Sequence, residues 1–131
     1  MATILLVDDD DGVRSVVRRA LEIDGHAVYE ATDGADAIDR LRGSALRADL
    51  LLSDIVMPVM DGIALAMNVA RERPELPIIL KTGYADQRER AKELEAIVRD
   101  VVLKPFTLAE IRARVRTVVG SGSNPALGPM L

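Results

Sequence analysis

Polar side chains suited to metal or phosphate chemistry closely follow apolar runs in this 131-residue sequence. Asp8 and Asp9 follow the first run, Asp54 the third, Thr82 the fourth and Lys104 the fifth. If these runs are parallel strands of one sheet, their carboxyl ends lie along the edge where open α/β sheets bind ligands. We therefore expect the five groups to converge at that edge, although they are far apart in the chain.

The types of these residues indicate which chemistry the edge would support. Three carboxylates in one crevice repel one another unless a cation lies among them. The chain has no cysteine and a single histidine, so the metal ligands must be oxygens, and Mg²⁺ suits such a set. Thr82 and Lys104 would hold the oxygens of a tetrahedral phosphoryl group. The combination predicts formation of an aspartyl phosphate, with Asp54 as the nucleophile because it lies in the middle of the sheet.

Short apolar runs alternate along the chain with segments of helical periodicity. The runs predict five strands, at residues 4–7, 27–31, 50–52, 78–80 and 101–103. A helix is predicted after each strand, and the first presents one apolar face made of Val13, Val16, Val17, Ala20 and Leu21. Five successive strand–helix units require right-handed crossovers and helices on both faces of the sheet. The predicted fold is α/β, an open doubly wound five-stranded parallel sheet.

The two helices nearest the C-terminus have different apolar content. The fourth, predicted over about 87–98, has a thin apolar stripe, so we expect it to pack weakly. The last begins at Thr107, with Glu110 completing a capping box. Its predicted buried face consists of Leu108, Ile111, Val115 and Val118.

Composition limits the class of protein. With 49% hydrophobic and 29% charged residues the chain has enough apolar material for one folded domain, predicted over 1–119. Residues 120–131 are rich in Gly, Ser and Pro and predict a flexible tail. A net charge of -4 disfavours general nucleic-acid binding, and no apolar run is long enough for a signal peptide or membrane span. We expect a cytoplasmic protein.

Four segments resemble the receiver domains of two-component response regulators, a likeness that covers residues 3–119. They are ILLVDDD at 4–10, SDIVMPVMDG at 53–62, the Thr82–Gly83 step and VVLKPF at 101–106. The resemblance implies the flavodoxin-like or CheY-like fold, with strand order 2-1-3-4-5. It also implies a signalling switch, with only self-phosphotransfer and slow autodephosphorylation as its own chemistry.

The resemblance further implies a role for each site residue. Asp54 would be the phosphoacceptor, and Thr82 and Lys104 would hold the phosphoryl oxygens. Asp9, Asp54 and the main-chain carbonyl of Val56 would bind Mg²⁺, with Asp8 acting through water. The Lys104–Pro105 peptide bond would be cis. Val56 and Tyr84 occupy positions that tune hydrolysis in this family, and neither orients water well, so we expect a long-lived phosphorylated state.

The partners implied by the resemblance are proteins. A histidine kinase or a histidine phosphotransfer protein would donate the phosphoryl group. The face formed by the helix at 87–98, the fifth strand and the last helix would bind the output partner, and a homodimer is possible. The family occurs both as stand-alone regulators and within hybrid kinases, and a Met directly before the first strand favours the former.

Two alternatives stay open at this point. Asp9-Asp10-Asp11-Gly12-Val13 resembles the nucleophile motif of haloacid-dehalogenase-type phosphatases, with Asp9 as the nucleophile. A charged Asp8 before that nucleophile, the short chain and the unexplained segments 53–62 and 103–106 weigh against it. The second alternative is a pseudo-receiver, a scaffold that functions without phosphate. Lys81, just before Thr82, has no role in any of these interpretations.

Overall fold

The computed structural model describes residues 2–43, 46–83, 89–91, 94, 96–103 and 107–123. Residues 121–123 are described by their backbone alone. Five parallel strands form one sheet: β1 (Thr3–Val7), β2 (Ala27–Ala31), β3 (Leu50–Asp54), β4 (Ile78–Thr82) and β5 (Asp100–Leu103). Their order is β2-β1-β3-β4-β5, which confirms the predicted open doubly wound sheet. The strand order reverses at β1, so the crevice of this fold lies between β1 and β3.

Four helices are described in full by their backbone: α1 (Asp11–Ile23), α2 (Gly34–Arg42), α3 (Gly62–Glu72) and α4 (Leu108–Ser123). Residues 89–91 are also helical, but residues 94 and 96–98 are not, so the helix predicted over 87–98 is wrong at its C-terminal end; residues 87–88, 92–93 and 95 lie outside the described residues. The backbone of α4 continues through residues 120–123, which the sequence analysis placed in the tail. Within the described part of the chain, no helix has the length and apolar character needed to cross a bilayer.

The core has two halves, one on each face of the sheet. Alternate residues of β1 divide between them, with Ile4 and Leu6 on one face and Leu5 and Val7 on the other. The first face packs against α1 and α4, and the second against α2 and α3. All residues of β3 and β4 are buried, as expected for central strands covered on both sides. This double cover anchors the central strands whose carboxyl ends form one edge of the sheet.

Strands β3 and β4 are longer than the apolar runs that predicted them. Both runs were expected to end before the polar residues, yet Asp54 and Thr82 are the last residues of their strands. The main-chain pairing explains the difference, because Asp54 is in register with Lys81 and Thr82 with Leu103. Hydrogen bonding of the ladder therefore continues past the point where the side chains become polar.

The predicted helix faces are partly wrong. Val17, Ala20 and Leu21 of α1 are buried, but Val13 and Val16 are exposed, as is Leu108 of α4. These three side chains line an open groove between the first turns of α1 and α4 instead of reaching the sheet. Periodicity identifies an apolar stripe but does not show how far along the helix the sheet extends beneath it. Ile111, Val115 and Val118 are buried as predicted.

The capping box of α4 is present. The Glu110 N–H donates to the Thr107 hydroxyl at 3.1 Å, and the Thr107 N–H donates to the Glu110 carboxylate at 3.3 Å. These reciprocal bonds satisfy two backbone donors that the helix itself leaves without a partner. They start α4 at Leu108, one residue after the predicted start at Thr107.

Candidate functional site

The structure brings Asp8, Asp9 and Asp54 together at the carboxyl edge of the sheet. Because Val7 of β1 is in register with Ser53 of β3, the residues that follow in each strand are neighbours. One carboxylate oxygen from each of the three aspartates lies within 4.8 Å of the others. Asp8 and Asp54 are buried, whereas Asp9 is exposed. We call this group, with Lys81 and Thr82, the acidic crevice.

Local hydrogen bonds hold Asp8 in place. The Asp10 N–H donates to Asp8 Oδ1 at 2.8 Å, and the Asp8 N–H donates to the Ala31 carbonyl at 3.2 Å. The Arg14 guanidinium donates to the Asp8 carbonyl at 2.6 Å. Asp10 in turn caps α1, since its side chain accepts from the Val13 N–H. The acidic turn after β1 therefore serves the crevice and the start of α1 together.

Lys81 contributes to the crevice an ammonium group that the sequence motifs do not predict. Its Nζ lies 2.7 Å from Asp8 Oδ2 and 3.3 Å from Asp54 Oδ1, and its side chain is fully buried. Lys81 reaches both carboxylates because β4 is adjacent to β3, where Asp54 is its register partner. The available signal was a single charged residue in the strand IILKT, where it follows three apolar residues.

The Lys81 contact changes the ionisation of Asp8. Burial by itself raises the pKa of a carboxylate, because it removes water from the charged form. The charge of Lys81 and the hydrogen bonds that Asp8 accepts outweigh this effect, so the pKa of Asp8 lies below its ordinary value of 3.8. Asp8 is therefore ionised at neutral pH although it is buried.

Thr82 and Val56 have opposite exposure. Thr82 is buried at the end of β4, and Leu103, with which it is in register, precedes Lys104 in sequence. The Val56 side chain is about half exposed, at 51%. Lys104, the Lys104–Pro105 peptide bond and Tyr84 lie outside the described residues.

The segment after β3 returns sharply to the sheet. The Ile55 N–H donates to the Lys81 carbonyl at 2.9 Å, and the Gly62 N–H donates to the Ile55 carbonyl at 2.7 Å. The intervening Val59 has a φ of 69°, a left-handed conformation that is strained for a β-branched residue. These contacts tie the loop and the start of α3 to the crevice edge.

The donor chemistry of the acidic crevice fits Mg²⁺. Its aspartates offer only oxygen ligands, and the exposed Asp9 leaves an approach from solvent. Three carboxylates and one ammonium leave two net negative charges among the described groups, which a divalent cation would balance. The residues present are therefore able to hold the ion.

A doubly wound sheet with an acidic crevice at its carboxyl edge defines a class of α/β domains that bind ligands at this edge. Within that class, a family model of the response regulator receiver domain matches residues 4–116. The chain therefore belongs to the receiver domain family of two-component response regulators. Domains of this family receive phosphate from histidine kinases and act as signalling domains, not as classical enzymes.

Relatives in sequence and in structure agree with this assignment. Response regulator MprA of Mycobacterium avium (strain 104) is 37% identical over 116 residues, which cover 88% of this chain and 50% of that protein. The chain thus spans about half the length of the curated relatives that it matches. A receiver domain of a signal transduction histidine kinase from Syntrophus aciditrophicus is 28% identical, with a TM-score of 0.81 and 92% coverage of both chains.

A more distant structure supports the fold alone. The response regulator receiver domain protein from Clostridium thermocellum is 20% identical, with a TM-score of 0.85, and covers 94% of this chain and 98% of its own. Nothing in these comparisons supports the phosphatase or the pseudo-receiver alternative.

Proposed function

We propose that this chain is a phosphorylation-controlled switch in which Asp54 accepts a phosphoryl group from phosphohistidine. The donor would be a histidine kinase or a histidine phosphotransfer protein. The observation that carries the proposal is the position of the Asp54 carboxylate, at the end of a central strand and grouped with Asp8 and Asp9 within 4.8 Å. Family membership supports the same role, because the surrounding segment matches the receiver family.

The proposed reaction is a phosphoryl transfer between two side chains. An oxygen of the Asp54 carboxylate forms a bond to phosphorus while the phosphorus–nitrogen bond of the donor histidine breaks, and the imidazole leaves with the bonding electron pair. Slow hydrolysis of the resulting aspartyl phosphate would restore Asp54 and release inorganic phosphate. Both steps are chemistry on the chain's own residue, as expected of a switch.

Mg²⁺ is the proposed cofactor. Asp9, Asp54 and the main-chain carbonyl of Val56 would hold it directly, and Asp8 would act through water. When bound, the ion would supply positive charge to the oxygens of the phosphoryl group, which lowers the cost of bringing that group to a carboxylate. The composition of the acidic crevice supports this assignment, because its aspartates offer oxygen ligands alone.

Thr82 and Lys104 are the proposed link from phosphorylation to output. The Thr82 hydroxyl and the Lys104 ammonium would donate to phosphoryl oxygens, which draws the end of β4 towards the phosphate. Thr82 is in register with Leu103, so a movement of β4 is transmitted to the edge strand β5. The output partner would bind the face formed by the segment 87–98, β5 and α4.

The remaining proposals concern the chain as a whole. We propose a receiver domain that extends from residue 1 beyond the predicted boundary at 119 to the end of α4, followed by the rest of the tail predicted over 120–131. It would act in the cytoplasm through protein partners, with a homodimer as one assembly that it can form. The net charge of -4 supports protein partners over direct nucleic-acid binding, since a phosphate backbone repels an acidic surface.

Phosphorylation by acetyl phosphate tests the role of Asp54. We expect intact-protein mass spectrometry to show one added phosphoryl group that requires Mg²⁺ and is lost in Asp54→Asn. The Asp9→Asn variant should retain the label at high Mg²⁺ concentration, because Asp9 binds metal and is not the nucleophile. Asp49→Asn is the matched control, since Asp49 lies just before the opposite end of β3, where it accepts from the Thr3 N–H.

Each alternative function has its own outcome in the same experiment. Loss of the label in Asp9→Asn and its retention in Asp54→Asn would establish the phosphatase-type nucleophile and overturn the proposal. A wild-type protein that gains no label at saturating acetyl phosphate and Mg²⁺ would establish a pseudo-receiver.

A further inference from the structure

Lys81 is a buried cation that the proposed phosphotransfer does not use. Its side chain is fully buried, and its ammonium lies 2.7 Å from Asp8 Oδ2 and 3.3 Å from Asp54 Oδ1. Burying an ammonium is very costly unless it is paired with opposite charge. The two carboxylates that accept this pairing are also two of the three that would hold Mg²⁺.

We propose that the Lys81 ammonium is a resident cation of the acidic crevice and competes with Mg²⁺ for the Asp8 and Asp54 carboxylates. This inference rests on the proposed function, because it concerns the same Mg²⁺ site. Lys81 thereby sets the Mg²⁺ concentration at which the site becomes ready to accept phosphate.

Two features of the structure support competition. Lys81 is the penultimate residue of β4, a buried central strand. Its Cα therefore cannot move away from the crevice without breaking the main-chain pairing between β3 and β4. A positive charge held a few ångströms from a divalent ion in a partly buried site repels it strongly. The ammonium also donates to Oδ2 of Asp8, one of the two oxygens that this carboxylate could offer to a metal site.

The resident cation has a consequence for the metal-free protein. Without Lys81, Asp8 and Asp54 would be two buried carboxylates with no compensating ammonium from β4. Their mutual repulsion would destabilise the fold until Mg²⁺ bound. Lys81 therefore makes the stability of the wild-type domain depend less on Mg²⁺ than that of a variant without this charge.

Mg²⁺ titration of lysine variants tests the inference. We expect isothermal titration calorimetry to show that Lys81→Met binds Mg²⁺ about tenfold or more tightly than the wild type. Lys81→Gln should show the same direction, since it keeps a hydrogen-bond donor and loses the charge. Mg²⁺ should also raise the melting temperature of both variants more than that of the wild type.

Arg114→Met is the matched control. It also removes a single positive charge, but from an ion pair with Asp100. Asp100 is the first residue of β5, so this pair lies at the amino ends of the strands, away from the crevice. We expect its Mg²⁺ affinity to equal that of the wild type. An unchanged or weaker affinity in Lys81→Met, or an equal gain in Arg114→Met, would overturn the inference.

If the Lys81 variants do not fold, a measurement on the wild type tests whether Mg²⁺ competes with the Lys81 ammonium. The chain has three lysines, Lys81, Lys92 and Lys104, so an NMR spectrum of the labelled side-chain ammonium groups is simple to assign with Lys92→Arg and Lys104→Arg. We expect Mg²⁺ to shift the Lys81 signal as its contact with Asp8 is lost. A Lys81 signal that does not change at saturating Mg²⁺ would refute competition.

The failure of this inference is distinguishable from failure of the proposed function. If Mg²⁺ binds and Asp54 is labelled by acetyl phosphate while Lys81→Met has wild-type affinity, only the competition is wrong. If the wild type neither binds Mg²⁺ nor gains a label, the proposed function fails and the inference fails with it.

Discussion

Gly62, the first residue of α3, packs directly against the main chain of Asp54. A Cβ placed on Gly62 would lie 2.1 Å from the Asp54 carbonyl oxygen and 2.9 Å from the Ile55 Cα. Atoms of the backbone cannot yield at such distances, so only glycine fits there. The start of α3 and the proposed phosphoacceptor are therefore held in one rigid arrangement.

Replacing Gly62 should damage both the fold and the crevice. We expect Gly62→Ala to lower the free energy of unfolding by about 3 kcal/mol, because the β3 end and the α3 start must separate to admit a methyl group. Urea denaturation measures this change. Phosphorylation of the folded fraction by acetyl phosphate should also slow, because the Asp54 main chain shifts.

Gly120→Ala is the matched control for that substitution. A Cβ on Gly120 meets no atom within 4 Å, and the residue lies in the helix α4. Alanine should raise stability there by about 0.5–1 kcal/mol, because it reduces the entropy of the unfolded chain and favours helix. Equal effects of the two alanines would show that the close approach at Gly62 does not limit stability.

Val59 is a second position where the loop after β3 is strained. Its φ of 69° is the only positive value for a non-glycine residue in the described part of the chain, and its side chain is fully exposed. We expect Val59→Gly to raise the free energy of unfolding by about 1 kcal/mol, since relief of strain exceeds the added entropy of the unfolded chain. Thermal denaturation measures it.

Val56→Gly provides the comparison within the same loop. Val56 is also exposed but does not have a positive φ, so glycine should relieve no strain there and should lower stability. If Val59→Gly loses as much stability as Val56→Gly, the prediction that Val59 is strained is wrong.

The side chain of Val56 is also predicted to prolong the phosphorylated state. It presents an apolar group, 51% exposed, two residues after Asp54, and an apolar group does not orient an attacking water. We expect Val56→Asn to shorten the lifetime of the label severalfold once acetyl phosphate is removed in the presence of Mg²⁺. Val16→Asn, an exposed valine on α1, should leave it unchanged. A wild-type half-life of seconds would contradict this prediction.

His26, the only histidine of the chain, should make stability depend on pH. Its Nδ1 accepts a hydrogen bond from the Ala2 N–H at 3.1 Å, and burial lowers its pKa from the ordinary 6.5. The folded protein therefore binds a proton on His26 more weakly than the unfolded chain does. This contribution to stability is complete above pH 6.5 and is lost as the pH falls through the lower pKa of the folded state.

Two measurements check the histidine prediction. An NMR titration should give His26 a pKa below 6.5 in the folded protein. Urea denaturation at about pH 7 and about pH 5 should show a loss of stability that is smaller in His26→Gln, which has no group titrating in that range. A folded pKa at or above the ordinary value would refute it.

The sequence predicts the order of elements well because the signals are local. An apolar run or a helical stripe is defined by neighbouring residues, and right-handed crossovers leave few arrangements for five successive units. The strand ends were predicted less well. Asp54 and Thr82 lie within β3 and β4, because main-chain pairing with neighbouring strands continues where the side chains turn polar.

The grouping of the aspartates was predictable for the same topological reason. Parallel strands place their carboxyl ends at one edge, so residues that follow β1 and β3 must be close. The role of Lys81 was not predicted, because the chain alone offered only one charged residue at the end of an apolar run. Whether such a lysine faces the core, a helix or an acidic neighbour depends on residues from three different strands.

By itself, then, the sequence determined the fold class, the strand order implied by its motifs and the edge at which carboxylates gather. Only the tertiary structure decided how those carboxylates are compensated. Asp8 is 73 positions from Lys81 in the chain, yet the two form a fully buried ion pair at 2.7 Å. Hydrophobic periodicity predicts which residues are buried. The partner of a buried charge, however, is set by the packing of strands that are distant in sequence.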